Sequence, residues 1–172
     1  NTVSGNASKS GAVPLVNQTR SQFRSGAKGK GSKWSLRDFA AWNAGWLLYL
    51  VEFADWNSQA QIGRGYVDGN SSAINSGATD SMSYHTGRPS GTDGKTAVQY
   101  RHIENPWGNV WEWIDGANFN NRAAYICTNP ANYADDTTSN YTSAGVTLCS
   151  SGWIKDLGLS NTFPWTFLPD AN

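Results

Sequence analysis

Charge is scarce in this chain: Lys and Arg number 13, Asp and Glu 13, together 15% of 172 residues, with no net charge. So sparse and balanced a set excludes the clustered positive field that nucleic-acid binding requires. Long hydrophobic runs are also missing. The longest, Trp46 to Val51, ends at Glu52, far short of the roughly 18–20 apolar residues of a membrane span, so no membrane insertion is expected. No signal-peptide pattern is present. The chain begins at Asn1 rather than Met, which reads as a fragment or a processed protein. There are only two cysteines, Cys127 and Cys149, without metal-ligand spacing. A disulfide closing the loop between them and a pair of buried thiols both fit. No G-x-S-x-G, H-E-x-x-H or paired-carboxylate signature occurs, and no long internal repeat. The two histidines lie in unlike contexts, His85 among turns and His102 on an expected strand, and read as hydrogen-bonded or exposed rather than catalytic. No enzyme is expected.

What the chain has is aromatic side chains, 13% of it with nine Trp, beside 18 Gly and plentiful Ser and Asn. Rings at that density argue for a packed fold and against disorder, and the Gly, Ser and Asn argue for a turn-rich backbone. Residues 1–18 are small and polar and read as an extended arm or linker, leaving 19–172 as one domain. Thr19 and Gln22 have the spacing of a capping box, so a short helix anchored by Phe23 is expected to stop near Gly26, before the solvated GAKGKGSK loop. Ser35, with Asp38 three residues on, is the expected N-cap of a second helix spanning Leu36 to Asn57. Leu36, Phe39, Ala40, Trp46, Leu47, Leu50 and Ala54 recur there at helical spacing, and Trp42, Tyr49, Phe53 and Trp56 widen the apolar surface. This is expected to be the core helix, covered on more than one side. Glu52 within it is either an acid with a raised pKa or a carboxylate paired at the helix edge. From 61 to 97 the GRGY, DGNSS, NSGATD and TGRPSGTDGK stretches specify turns. Three strands are expected beyond: Ala97–Ile103, Gly108–Ile114 and Arg122–Cys127, with Val110, Glu112 and Ile114 on one face of the second and Trp111 and Trp113 on the other. A loop-rich tail follows, with a short element around Trp153 to Leu157. The fold class is α+β: two N-terminal helices, a small antiparallel sheet and long loops. Sequons at Asn6, Asn17, Asn70 and Asn140 carry no weight without a secretory context.

The stretch Gly108-Asn109-Val110-Trp111-Glu112-Trp113 resembles the signature strand of the formylglycine-generating-enzyme-like branch of the C-type lectin fold. That branch includes the variable proteins of diversity-generating retroelements. RSQFRSGAKGKGSKWSLRDFAAWNAGWLLYLVEFADWNSQAQIG, YRHIENPWGNVWEWIDGANF, ADDTTSNY and SSGWIKDLGLSNTFPW are similar to such proteins of phages and prophages of gut Firmicutes. The resemblance covers most of residues 19–168. It implies that Gly108 allows a tight turn into the strand, that Asn109 bonds local backbone, and that Trp111 and Trp113 are largely buried; exposure of both would undo the assignment. Members usually continue past the FPWTFLP-like segment into a stretch that completes the lectin sheet and bears the diversified contacts. The resemblance therefore implies a domain lacking its C-terminal strands.

In function the resemblance implies a non-enzymatic receptor-binding protein on a phage tail or a bacterial surface, a homo-trimer recognising a protein or glycan on a bacterial cell. Tyr133, Asn140, Tyr141 and Trp153 are the loop residues best suited to ligand contact, since aromatics and Asn combine rigid area with adaptable hydrogen bonding; filling between loops is the competing role. The calcium-dependent sugar motifs of animal lectins do not occur. A structural virion or scaffold domain completed by a partner segment is the alternative. A formylglycine-generating oxidase is the remote one, because neither Cys127 nor Cys149 sits in a matching motif. No cofactor is expected, with one open point. The resemblance suggests structural calcium near the tryptophan strand, to which Asn109 and Glu112 could lend oxygens. Equally, Glu112 could accept backbone N–H groups and Asn109 organise a turn.

Overall fold

The structure, a computed structural model, describes residues 9–68, 72–151 and 157–169. Among the described residues the fold is α+β, with three α-helices and small antiparallel sheets. It divides into two compact units: Asn1–Thr19 with Tyr49–Glu112, and Arg20–Leu48 with Trp113–Asn172.

The second unit is built on helices α1 (Arg20–Lys28) and α2 (Phe39–Phe53), of which residues 39–48 belong here and 49–53 to the first unit. Helix α1 runs two residues past its expected stop and closes through Gly29 and Gly31 onto the carbonyls of Ser25 and Lys28. Helix α2 is shorter than its sequence pattern. Its cap is Asp38, not Ser35: Asp38 Oδ1 accepts the Ala41 N–H at 2.8 Å, satisfying one of the free donors of the first turn. At the other end Ala54 adopts a left-handed φ of 51°, which ends the helix before Asn57.

Strands β3 (Ala117–Asn120), β4 (Ala123–Ile126) and β5 (Thr142–Thr147) form an antiparallel sheet, and they follow in chain order the strands β1 (Gln99–Tyr100) and β2 (Ile103–Glu104) of the first unit. Ala124 and Ile126 of β4, and Ala144 and Val146 of β5, alternate inward. The register between β4 and β5 shifts opposite Gly145, whose φ of 72° makes the bulge. These four side chains pack with Phe39 and Leu168 in one core, bordered by Trp42, Ile114, Phe163 and Trp165. Leu168 lies on β7 (Phe167–Pro169), which pairs with β6 (Leu157–Leu159). Asn43, fully buried in α2, donates to the Trp165 carbonyl and accepts the Phe167 N–H, clipping this segment to the helix.

The first unit has little regular structure: α3 (Ser58–Gln61) and the two-residue strands β1 (Gln99–Tyr100) and β2 (Ile103–Glu104). Its buried apolar residues are Tyr49, Ile62, Ala97, Val98 and Tyr100, with Tyr49 stacked on Phe53 and edge-on to Tyr100. Side chains gripping backbone replace strand ladders. The Glu104 carboxylate accepts the Gly77 and Thr79 N–H groups at 2.9 Å each. The polar tail of the N-terminal segment is tied down as well, with Gly11 N–H on Ser76 O and Ser76 N–H on Ala12 O.

Three sequence expectations are corrected. Ala97–Ile103 is a hairpin rather than one strand, because Arg101 and His102 are both left-handed (φ 48° and 65°) and form a two-residue turn. Gly108–Ile114 is not a strand. Gly108 and Asn109 are left-handed in succession (φ 78° and 64°), and an extended chain cannot pass through two such residues. Trp111 and Trp113 are consequently exposed, at 103% and 53%, instead of buried. Helix α2 keeps an open face, with Leu48 and Val51 exposed, Val51 at 85%. Arg122–Cys127 does contain a strand, β4.

Candidate functional site

Of the ligand-contact candidates, three lie near one another on the connection into β5. Tyr133 follows the short 3-10 turn Pro130–Asn132, which Asn129 caps through the Ala131 N–H. Its hydroxyl donates to Asp38 Oδ2 at 3.0 Å. Burial pushes the phenol far up, and the Asp38 carboxylate pushes it further, so Tyr133 is a fixed donor. Tyr141 is buried, and its hydroxyl accepts the Ala134 N–H and donates to the Ala134 carbonyl. Asn140 is exposed and left-handed. Both tyrosines thus organise the 133–141 loop from below, while Asn140 stands on its outside. Trp153 lies outside the described residues.

Beneath this loop is a polar cluster that the sequence reading missed. Arg20 and Arg24, one turn apart on α1, face the same way. Arg20 donates to the carbonyls of Ile114, Ala117, Ala134 and Asp135 and to Asn118 Oδ1. Arg24 grips Asp115, 1% exposed, through two hydrogen bonds, and Asp135 at 2.8 Å. The hydrogen bond to Asp115 pushes the Arg24 pKa up, against burial. Burial alone would raise the Asp135 carboxyl, but bonds from Arg24 and Ser21 hold it below its ordinary value. Every charge here is paired, as anchoring requires.

In the first unit, the resemblance motif makes a loop junction. Asn109 Oδ1 accepts the Ile74 N–H at 3.0 Å and its Nδ2 donates to the Ile74 carbonyl at 3.2 Å. A side chain added at Gly108 would come within 2.9 Å of the Tyr66 nitrogen, which is why glycine is needed there. The Asn109 amide is therefore engaged with a loop. Glu112 is exposed. No group of three or more His, Cys, Asp or Glu able to hold a metal occurs among the described residues. Both cysteines are free thiols, Cys127 buried and Cys149 half-buried.

The most site-like surface of the first unit was not foreseen. The β1–β2 hairpin presents Arg101, His102 and Ile103 outward, and the chain at 84–87 runs beside it. Two backbone ties hold them together: the Gly87–Gln99 bridge and the His102 N–H on the His85 carbonyl at 2.9 Å. Tyr84, 61% exposed, lies over His85 with ring centres 4.3 Å apart, and His85 is 5.8 Å from His102. Glu52, open between two roles in the sequence, is a paired carboxylate: it accepts from the Tyr100 hydroxyl at 3.0 Å and from Arg101 at 3.0–3.1 Å. Tyrosine, histidine and arginine side by side on a hairpin and the segment tied to it offer ring faces, a cation and imidazole nitrogens to a ligand. Nothing in the sequence brings 84–85 to 102 except the turn at Arg101-His102, whose non-glycine residues gave no hairpin signal.

Comparisons of the chain with protein families, with curated proteins and with solved structures find no match.

Proposed function

We propose that the chain is a non-enzymatic receptor-binding protein, a phage-tail or bacterial-surface adhesin that recognises a protein or glycan on a bacterial cell. The observation that carries this reading is the Tyr84–His85–Arg101–His102 surface. Its Tyr84, Arg101 and His102 side chains are exposed, on a hairpin and on the chain segment tied to it by backbone hydrogen bonds. Such groups dominate binding energy because they combine large area with few rotatable bonds. The finer assignment, a C-type-lectin scaffold of the retroelement-variable kind, rests on the resemblance of residues 19–168. The irregular course of Gly108–Ile114 and the exposure of both its tryptophans undo that assignment, so the receptor reading stands on the Tyr84–His102 surface and not on the scaffold. That same exposure favours a second reading, a virion or scaffold domain completed by a partner segment that covers Trp111.

The test is binding of fluorescently labelled protein to intact cells of a panel of gut Firmicutes. Saturable binding, competed by unlabelled protein and weakened about 30-fold or more by Tyr84→Ala, supports the adhesin. Binding to none of the panel, or binding that Tyr84→Ala leaves unchanged, rejects this surface as the receptor site.

A further inference from the structure

We propose that His85 and His102 together chelate one divalent transition-metal ion of the zinc, nickel or copper class. A metal about 2.1 Å from one nitrogen of each ring would sit about 3.2 Å from each ring centre, so two imidazoles sharing it have centres about 5–6 Å apart. The observed separation is 5.8 Å, with the rings inclined at 58°. The spacing is fixed by the backbone, since the His102 amide donates to the His85 carbonyl.

The outer contacts suit a ligand histidine. His85 Nδ1 lies 2.7 Å from the hydroxyl of Thr86, a buried residue, which also accepts the Arg101 N–H at 3.2 Å. When His85 Nε2 binds metal, Nδ1 carries the proton and donates it to that hydroxyl, the arrangement that orients imidazole ligands elsewhere. The Tyr84 ring lies against the His85 ring, with centres 4.3 Å apart. The Glu52 carboxylate, which reaches the hairpin, is taken by Tyr100 and Arg101. Two imidazoles and no free carboxylate select against calcium and magnesium, which want oxygen, and for the nitrogen-seeking metals. The remaining positions fall to water or to a donor on a bound molecule.

This inference stands apart from the receptor reading, because it is read on purified protein without cells. The probe is zinc chloride alone, titrated calorimetrically into the untagged full chain at pH 7.5. One zinc per chain is expected, with affinity lowered at least tenfold by His85→Ala and by His102→Ala, and retained when Lys95, elsewhere in the unit, is changed to Ala. Thr86→Val should weaken binding less than either histidine change while leaving the circular dichroism spectrum intact. Calcium should give no heat. Zinc affinity equal in the wild type and the His85→Ala/His102→Ala double variant overturns the proposal, as does wild-type protein that takes up no zinc.

Discussion

Single residues in this chain depart most from expectation where their backbone is left-handed. Ala54 ends helix α2 with φ 51°, a conformation that costs a residue bearing a Cβ about 1–2 kcal/mol and glycine nothing. Ala54→Gly should therefore raise stability by about 1 kcal/mol, read as a higher urea midpoint with an unchanged slope. Trp111 tells the opposite story. A tryptophan in a core loses about 3–5 kcal/mol on truncation, but Trp111 is at 103% exposure. Trp111→Ala should change stability by less than about 0.5 kcal/mol. A loss of several kcal/mol in the same denaturation experiment would show that the ring is buried in solution and would restore the strand expected from the sequence.

At the scale of elements, what the sequence disclosed and what it hid divide along physical lines. Helix α2 and strand β4 were legible because apolar residues repeat with a period: Phe39, Trp46, Leu47 and Leu50 recur at helical spacing, and Ala124 and Ile126 alternate in the strand. The ends of α2 were not, because Asp38 and Ser35 are equally good caps in letters and only Asp38 meets the Ala41 N–H. The hairpin at Arg101-His102 was hidden because arginine and histidine rarely occupy a left-handed pair. Period alone also misread Gly108–Ile114, where alternating tryptophans suggested a pleat that Gly108 and Asn109 interrupt. Of the candidate site, Tyr133 and Tyr141 were found as residues, but their roles as hydroxyl donors and acceptors to Asp38 and Ala134 have no sequence signal. Asn43 is a further role without a signal, a polar residue at a core position of an apolar helix. Asn43→Ala would strand the Trp165 carbonyl and the Phe167 N–H, and a loss of roughly 2–3 kcal/mol is expected. Hydrogen exchange at the Phe167 amide should accelerate in the same variant, whereas a general loss of packing would accelerate exchange throughout β4 as well.

For the whole molecule, the paired arginines set the response to acid. The Asp135 carboxyl is held below its ordinary value of 3.8 by Arg24 and Ser21, in spite of burial. Because its folded pKa is lower than its unfolded one, the stabilisation is complete above about pH 4 and is lost as pH falls through the folded pKa. Melting temperature should thus decline below pH 4, and Asp135→Asn should start lower at neutral pH and show a shallower decline. An identical acid profile in the two proteins would mean that other carboxylates control it. A different consequence follows from how the loops are held. Asn109 grips the main chain of Ile74, Glu104 that of Gly77 and Thr79, Asn118 that of Ala134 and Thr137, and Asn43 that of Trp165 and Phe167. A carbonyl or an amide N–H is the same whatever side chain it carries, proline's missing hydrogen excepted. Where the grip touches main chain alone, as Asn109 does at Ile74, it is blind to the side chain it holds, so the sequence there is free to drift while its course stays put, and the burden of constancy falls on the residue that does the holding.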